Sequence, residues 1–481
     1  MSTAARARER WVLALASVAS LMVALDQLVV ATALSTIQRD LHAGMATLEW
    51  TVNAYTLSLA VLLITGSGLG ERFGRRRMFV LGLAIFVLAS AACALAPNTA
   101  VLITARAVQG AGSALVMPLA FSLLSTAYPP ERRGAALGIF TALTGLAVVG
   151  GPLVGGAITQ SIAWQWIFWV NVPIGALAIP LTLARVPESR GPRVRADVAG
   201  LLLSGLGALG IVWALVRSDA AGWGSPEVVA TLLGGVVLLA AFVRWELRVA
   251  RPMLPMRLFA NRAFAIGNAA ALLMTAAIIG TVFFLAQYLQ LSLGYSPLQA
   301  GLRFLPWTTT LFVVAPVAGR LSDRTGARAL VAAGLLLQGA GLGWVALNIH
   351  DGRAYPASIL ALVIAGCGAS MAMPAVQNVV LSSAPSAQLG ALSGSYNMLR
   401  QFGGVFGVAV LSAVFAATGG FASPHDFADG AAPALGLASG LAALGGLLAL
   451  GLPTARSAAA GADKRRATEV LAPEAAAVHA G

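Results

Sequence analysis

Ser67-Gly68-Leu69-Gly70-Glu71-Arg72-Phe73-Gly74-Arg75-Arg76 returns in altered form as Gly319-Arg320-Leu321-Ser322-Asp323-Arg324-Thr325-Gly326-Ala327-Arg328. Each stretch is a basic, glycine-bearing turn between two long apolar runs, and the offset is 252 positions. Glycine permits the sharp bend, while the acid can cap a helix end or pair with an arginine. One such turn suits a cytoplasmic link between neighbouring membrane helices; two at a fixed spacing describe a duplicated bundle. At an offset of 256, residues 110–138 realign with 366–394, keeping Gly110/Gly366, Gly112/Gly368, Met117/Met373, Pro118/Pro374, Pro129/Pro385, Gly134/Gly390, Ala135/Ala391 and Gly138/Gly394. This reads as an internal repeat whose halves are related by an axis along the membrane normal, as in transporters.

Composition agrees. Of 481 residues, 58% are hydrophobic and 10% charged, and the mean hydropathy is +0.83, which excludes a soluble globular domain. About fourteen apolar runs have the roughly 20 residues needed to cross ~30 Å of hydrocarbon. Two of them, near 197–217 and 228–246, have no partner in the repeat. The expected organisation is therefore a six-helix bundle at 1–190, an inserted two-helix hairpin at 191–250, a second six-helix bundle at 251–455 and a disordered tail at 456–481. The expected fold class is an all-α polytopic membrane protein. Arg6, Arg8 and Arg10 precede an apolar run with no convincing cleavage site, so that run is expected to stay as the first helix.

Charge orients the bundle. With the N-terminus inside, all of the 31 Lys+Arg except Arg39, Arg106, Arg217, Arg303, Arg353 and Arg400 fall on cytoplasmic segments, as the positive-inside rule requires. Both termini are expected in the cytoplasm. Topology accounts for the net charge of +13, and no nucleic-acid partner is needed to explain it. The basic tail residues Lys464, Arg465 and Arg466 also suit contact with anionic lipid. Cys93 and Cys367 are expected as buried free thiols, and Trp164, Trp166 and Trp169 as an interfacial aromatic belt.

Charged groups inside a membrane are costly and become functional candidates. Of eighteen Asp+Glu, only Asp26 lies well inside a span. Its natural partner is Arg106. At 1.5 Å per residue, Asp26 lies roughly 20 Å up an outward-running helix and Arg106 roughly 10 Å down an inward-running one. In a core of ~30 Å those depths permit contact. Burial favours the neutral acid and the arginine favours the carboxylate, so small changes can tip protonation. A proton site and a structural ion pair both remain open. Gly145, Gly151, Pro152, Gly155 and Gly156 give the fifth span a small-residue face, for packing alone or for a bendable gate helix. Arg303 and Arg400 either snorkel or meet substrate. Gln109, Gln287, Tyr288, Gln290, Asn378, Asn397, Arg400 and Gln401 are candidates for lining a cavity.

Other chemistry is missing. The histidines at 42, 350, 425 and 479 fall in outer loops or the tail, so no metal site is expected. Lys464 is the single lysine, which removes any Walker-type phosphate loop. No nucleophile–His–acid set is visible, and no large soluble domain exists to house an enzyme or sensor.

These residues together resemble the major facilitator superfamily, and within it the fourteen-helix drug:proton antiporters, over nearly the whole chain. Leu25-Asp26 with Ala33-Leu34 resembles that family's first-helix signature, whose acid is implicated in proton coupling. The turn at 67–76 resembles the superfamily's signature loop. Leu102, Arg106, Gln109, Gly110 and Gly112 match the fourth-helix motif, whose arginine is assigned to proton transfer. Gly145, Gly151, Pro152, Gly155 and Gly156 match the antiporters' fifth-helix motif. Trp164-Gln165-Trp166-Ile167-Phe168 and Asn171-Val172-Pro173-Ile174-Gly175 resemble the fourteen-helix group's own marker. Ser67 and Glu71 replace the usual Gly and Asp, Leu28, Ala31 and Ser35 replace Thr, Asn and Pro, and Gln165 stands where Arg is common.

The resemblance implies an exporter of drug-like or antibiotic molecules that exchanges them for protons. It would be driven by the proton gradient without a cofactor and would work as a monomer in a bacterial plasma membrane. It implies Asp26 as proton carrier and Arg106 as its modulator. Gly70, Glu71, Arg72, Gly74 and Arg75, with Asp323, Arg324 and Gly326, would form gating loops in which Glu71 and Asp323 act as latches. A proton-coupled importer of a small metabolite on the same fold is the alternative, against which the fifth-helix motif argues.

Overall fold

The computed structural model describes residues 3–191, 197–249, 252–350, 352–384 and 388–453; the tail expected at 456–481 lies outside them. Among the described residues, fourteen helices are long and apolar enough to cross a membrane, and no strand occurs. They are α1 (Arg6–Leu41), α2 (Ala46–Phe73), α3 (Arg75–Ala94), α4 (Thr99–Ala127), α5 (Ala135–Ser161), α6 (Trp166–Arg185), α7 (Val198–Ser218) and α8 (Pro226–Glu246). The second set is α9 (Arg262–Leu291), α10 (Pro297–Leu321), α11 (Ala327–His350), α12 (Tyr355–Leu381), α13 (Ala391–Thr418) and α14 (Pro424–Ala449). In hydrocarbon every backbone group must bond within its own segment, which makes helices the only option for an open chain of this hydropathy.

Hydropathy makes the spans, and polar residues decide where they start. The Asn98 side chain accepts from the Val101 amide at the head of α4, and Ser225 does the same for Val228 at α8. A reciprocal Ser296/Gln299 capping box opens α10. Each supplies a partner to a helix-terminal N–H that would otherwise lack one. Two spans are interrupted. α6 consists of one turn, Trp166–Trp169, and a restart at Asn171. α10 is built from Pro297–Arg303, Leu305–Thr308 and Thr310–Thr325.

The repeat is visible in geometry. Gly74 and Gly326, the same place in the two signature turns, have φ of 113° and 83°, a region nearly closed to residues with a Cβ. Within the bundles, α4 crosses α3 at Gly112, where an added Cβ would sit 2.7 Å from the Phe86 amide, and α12 crosses α11 at Gly368, against Gln338 and Gly334. Likewise α4 meets α2 at Gly110, against Tyr55, while α12 meets α10 at Gly366, against Trp307. Without a hydrophobic force between helices in lipid, such close backbone approaches supply much of the association energy. The fold is two pseudo-symmetric six-helix bundles with two additional helices.

The additional hairpin is seated on both bundles. α7 packs on α2 and α13, in a cluster that joins Leu57 and Ala60 to Ala208, Val212, Met398 and Phe402. Trp213 lies against Trp50, ring centroids 5.8 Å apart.

The two ends of the molecule differ. At the end away from the basic loops, Ser35 donates to Gln290 across the bundles at 2.6 Å, and the Leu298 amide donates to Gln160 at 3.2 Å. There the α5 glycine Gly156 abuts the Pro297 carbonyl, and Gly301 abuts that of Pro152. Towards the basic end α5 and α10 separate. An added Cβ at Gly145 would meet only Leu311, at 4.0 Å, and at Gly138 or Gly319 it would meet nothing within 4 Å among the described residues.

Two expectations need correction. Trp164 is buried rather than part of a lipid-facing belt, because its indole donates to Asp40 at 2.9 Å and its ring packs edge-on against Phe168. Cys93 is buried, but Cys367 is partly exposed.

Candidate functional site

Asp26 and Arg106 meet. Both side chains are almost wholly buried, and the guanidinium Nη1 donates to Asp26 Oδ2. The depths that rise per residue assigns to the two side chains agree with this contact. What length could not give is the rest of the coordination. Arg106 Nε donates to the Thr51 carbonyl of α2 at 3.1 Å, and Nη1 also donates to Gln109 Oε1 at 2.8 Å, one turn along α4. The guanidinium carbon lies 4.2 Å from the Tyr55 ring centroid and 5.7 Å from that of Phe168, close enough for cation–π attraction.

Around the carboxylate, Oδ1 accepts from Gln109 Nε2 at 2.8 Å and from Asn171 Nδ2 at 3.0 Å. Asn171 also donates to Ser90 Oγ at 3.0 Å, and Ser90 donates to the Phe168 carbonyl at 2.9 Å. Tyr55 donates to the Val23 carbonyl at 3.1 Å and lies 2.8 Å from Ser113 Oγ. Cys93 Sγ is 3.7 Å from Gln109 Oε1. The node therefore draws on α1, α2, α3, α4 and α6, all from the first bundle. A buried ion pair is tolerable only when its remaining polar atoms are also bonded; here both carboxylate oxygens and the guanidinium Nε and Nη1 are.

Gln109 was expected among cavity residues and instead forms part of this node. Asn171 sits inside a motif quoted from the sequence, and an intramembrane amide is itself a signal of a polar contact. Tyr55, Ser90 and Ser113 carry no such signal, since hydroxyls are common in membrane helices.

The other candidates are dispersed. Gln287 and Tyr288 are buried on α9 and Gln401 on α13. Among the described residues, Gln287 Oε1, Gln401 Nε2 and Arg400 Nε have no hydrogen-bond partner. Asn397 donates to the Ser393 carbonyl one turn back, at 2.9 Å, and Asn378 is exposed near the basic end. Among the described residues no hydrogen bond joins any two of these. Gln290 closes the α1–α9 contact, donating to the Thr32 carbonyl at 3.2 Å. Arg303 is held 3.3 Å above the Tyr295 ring and 5.2 Å from that of Tyr355, so an aromatic clamp engages it.

In the signature turn, Glu71 accepts a bidentate pair from Arg75 at 2.9 and 2.7 Å. Glu188 receives the amides of Arg76 and Arg77 at 3.0 and 3.2 Å, placing a carboxylate at the head of α3, where the helix dipole favours it. Arg72 is exposed and stacks its guanidinium over Phe73. The side chains of Asp323 and Arg324 lie outside the described residues. On α5, Gly151 approaches Leu28 and Gly155 approaches Val29 and Thr32, so this face packs against α1 one turn beyond Asp26.

Residues 16–408 match the profile of the Major Facilitator Superfamily. The chain is 34% identical to the tetracenomycin C resistance and export protein of Streptomyces glaucescens, covering 87% of this chain and 78% of that one. It is 39% identical to the cephamycin export protein CmcT of Amycolatopsis lactamdurans, covering 84% of each. It is 35% identical to the multidrug resistance protein Stp of Mycobacterium tuberculosis strain H37Rv, covering 82% and 74%. Among solved structures, a POT family transporter in complex with 5-aminolevulinic acid aligns over 91% of this chain and 93% of its own, with a TM-score of 0.66 and 16% identity. A bacterial homolog of the human lysosomal transporter Spinster, inward-facing and unoccupied, aligns over 94% and 97%, with a TM-score of 0.65 and 16% identity. Those two likenesses speak to fold alone. On the fourteen helices, the profile match and the relatives together, the chain belongs to the Major Facilitator Superfamily, and it is a multi-pass membrane transporter rather than an enzyme.

Proposed function

We propose that the protein exports drug-like or antibiotic small molecules from the cytoplasm in exchange for protons. The observation that carries this reading is the buried Asp26 carboxylate, held by Arg106, Gln109 and Asn171. A carboxyl group balanced between burial and a guanidinium changes charge when its neighbours shift, which is what coupling to a proton requires. The names of the relatives, which speak of resistance and export, favour the outward direction and a drug-like cargo. The antiporter-type glycines of α5 favour it too, over the importer alternative.

The basic loops mark the cytoplasmic side, with both termini there and the chain in a bacterial plasma membrane. The contacts of Ser35, Gln290, Gly156 and Gly301 then close the outer side, and the molecule is inward-facing. In the outward state Asp26 releases substrate and takes a proton from outside. The bundles rock, and deprotonation inside restores affinity for substrate. Each proton entering down 100 mV supplies about 2.3 kcal/mol. Glu71, bonded to Arg75 while the inner side is apart, is the latch that engages when that side closes, with Asp323 as its counterpart. The polar atoms of Gln287, Arg400 and Gln401 are the groups offered to substrate.

The test is drug susceptibility across a broad compound panel, in a host stripped of its own efflux pumps. Wild type and Asp26→Asn are expressed at equal membrane levels. Resistance that disappears with Asp26→Asn is expected; resistance that survives it would remove Asp26 from the coupling step.

A further inference from the structure

The amides that hold Asp26 are not equivalent. Oδ1 accepts from both Gln109 and Asn171, and Oδ2 accepts from Arg106. A protonated carboxyl must also donate. Arginine is a donor only, so Oδ2 has no acceptor opposite it and the proton belongs on Oδ1, provided one amide presents its carbonyl instead of its NH2. Gln109 is poorly placed to turn. Its Oε1 already accepts from Arg106 at 2.8 Å, and the reversed amide would press an NH2 against the guanidinium.

Asn171 has no such obstacle. Its second partner is the Ser90 hydroxyl, which accepts or donates equally well. When the amide turns, its carbonyl accepts from the Asp26 O–H on one side and from the Ser90 O–H on the other. Ser90 then gives up the Phe168 carbonyl, to which it now donates. Phe168 lies in the single turn Trp166–Trp169, just before the restart of α6 at Asn171. That turn adjoins Trp164, whose indole is bonded to Asp40 near the outer end of α1.

We propose that Asn171 is the positioning residue that reads the protonation state of Asp26, and passes it through Ser90 to the interrupted head of α6. The inference rests on the proposed role of Asp26 as proton carrier. A proton from water forms an O–H bond on Oδ1; thereafter only hydrogen bonds are exchanged. The charged or titratable groups facing Asp26 are Arg106 from α4, Tyr55 from α2 and Cys93 from α3, and α6 contributes the neutral Asn171. Neither Tyr55 nor Cys93 is asked to ionise.

The experiment uses the full chain in lipid nanodiscs and needs no substrate. Dicyclohexylcarbodiimide reacts with protonated carboxyls, so labelling of Asp26, read by mass spectrometry, is followed against pH. Asn171→Leu is expected to move the half-labelling pH upward by about one unit, a roughly tenfold change, because the charge-assisted bond lost by the carboxylate is stronger than the neutral bond lost by the protonated acid. Asn171→Ser, whose hydroxyl can donate or accept, is expected to return it to within about 0.3 unit of wild type. Hydrogen–deuterium exchange over 163–171 supplies the second readout. Asp26→Asn, a neutral stand-in for the protonated acid, is expected to raise exchange there, and Asn171→Leu or Ser90→Ala to abolish that response. Ser90→Ala keeps the test open if Asn171→Leu fails to fold. A half-labelling pH unmoved by Asn171→Leu, or exchange over 163–171 unchanged by Asp26→Asn, would overturn the inference while leaving the carrier role standing. Wild-type protein in which Asp26 is never labelled at any pH would overturn the carrier role and the inference with it.

Discussion

Arg106 and Leu362 occupy the same place in the two halves, 256 positions apart, and both are buried. Gln109 likewise corresponds to Ala365, also buried. The glycines around them are kept: Gly110 and Gly112 in one half, Gly366 and Gly368 in the other, each crossing the corresponding neighbours. On the first helix of each half, Gly151 and Gly155 approach Leu28 and Val29, while Gly403 and Gly407 approach Leu272 and Ala276, a stretch of α9 with no acid. The scaffold is duplicated and the charge is not. Small residues at crossings are demanded by geometry in both halves, whereas a buried ion pair is expensive and one copy suffices for the coupling role proposed for Asp26.

That contrast can be broken most forcefully from the polar side. Arg106→Leu gives the first half the side chain of the second and strands a buried carboxylate, a loss of about 3–5 kcal/mol. A sharply lowered melting temperature in detergent and loss of resistance are expected. Adding Asp26→Leu should recover most of the melting temperature and none of the resistance. Stability untouched by Arg106→Leu would mean that the pair is not buried as a unit.

The converse substitution, Leu362→Arg, puts a guanidinium where no acid waits, about a third of the way into α12, at a cost approaching the roughly 2.5–3.5 kcal/mol of a span's centre. Membrane abundance, measured by immunoblot against wild type, should fall severalfold. Undiminished abundance would show that the second half holds an acceptor able to receive it.

The symmetric part is probed by Gly112→Ala and Gly368→Ala. A methyl forced against the backbone of α3 or α11 should cost about 1–3 kcal/mol in each case, and thermal unfolding of the two variants should be depressed alike. A difference of more than twofold between them would break the scaffold symmetry. The smallest effect belongs to Ser35→Ala, which removes one interhelical hydrogen bond between the bundles. About 0.6 kcal/mol is typical of such bonds; a shift several times larger would make Ser35–Gln290 a principal clasp of the outer end.

Asp26 and Arg106 are legible without a structure, because scarcity of acids and rise per residue are properties of single helices. Gln109 is legible as a polar residue one turn from Arg106, but its bond to Asp26 is not, since that partner lies on another helix. Asn171 stood inside a quoted motif without a role, because nothing in its neighbours says that α6 restarts beside α1 and α3. Ser90 and Tyr55 were silent for the same reason. Trp164 looked like its neighbours Trp166 and Trp169, and only the position of Asp40 turns it inward.

The number of spans, the duplication with its repeated glycines, and the basic side follow from sequence alone, because transfer into hydrocarbon is a sum over local residues and a repeat is a pattern in one dimension. Which polar atoms meet was decided by tertiary structure. A hydrogen bond needs atoms within about 3 Å, and in this node those atoms come from five helices, whose rotation about their own axes is set by the packing of all the others.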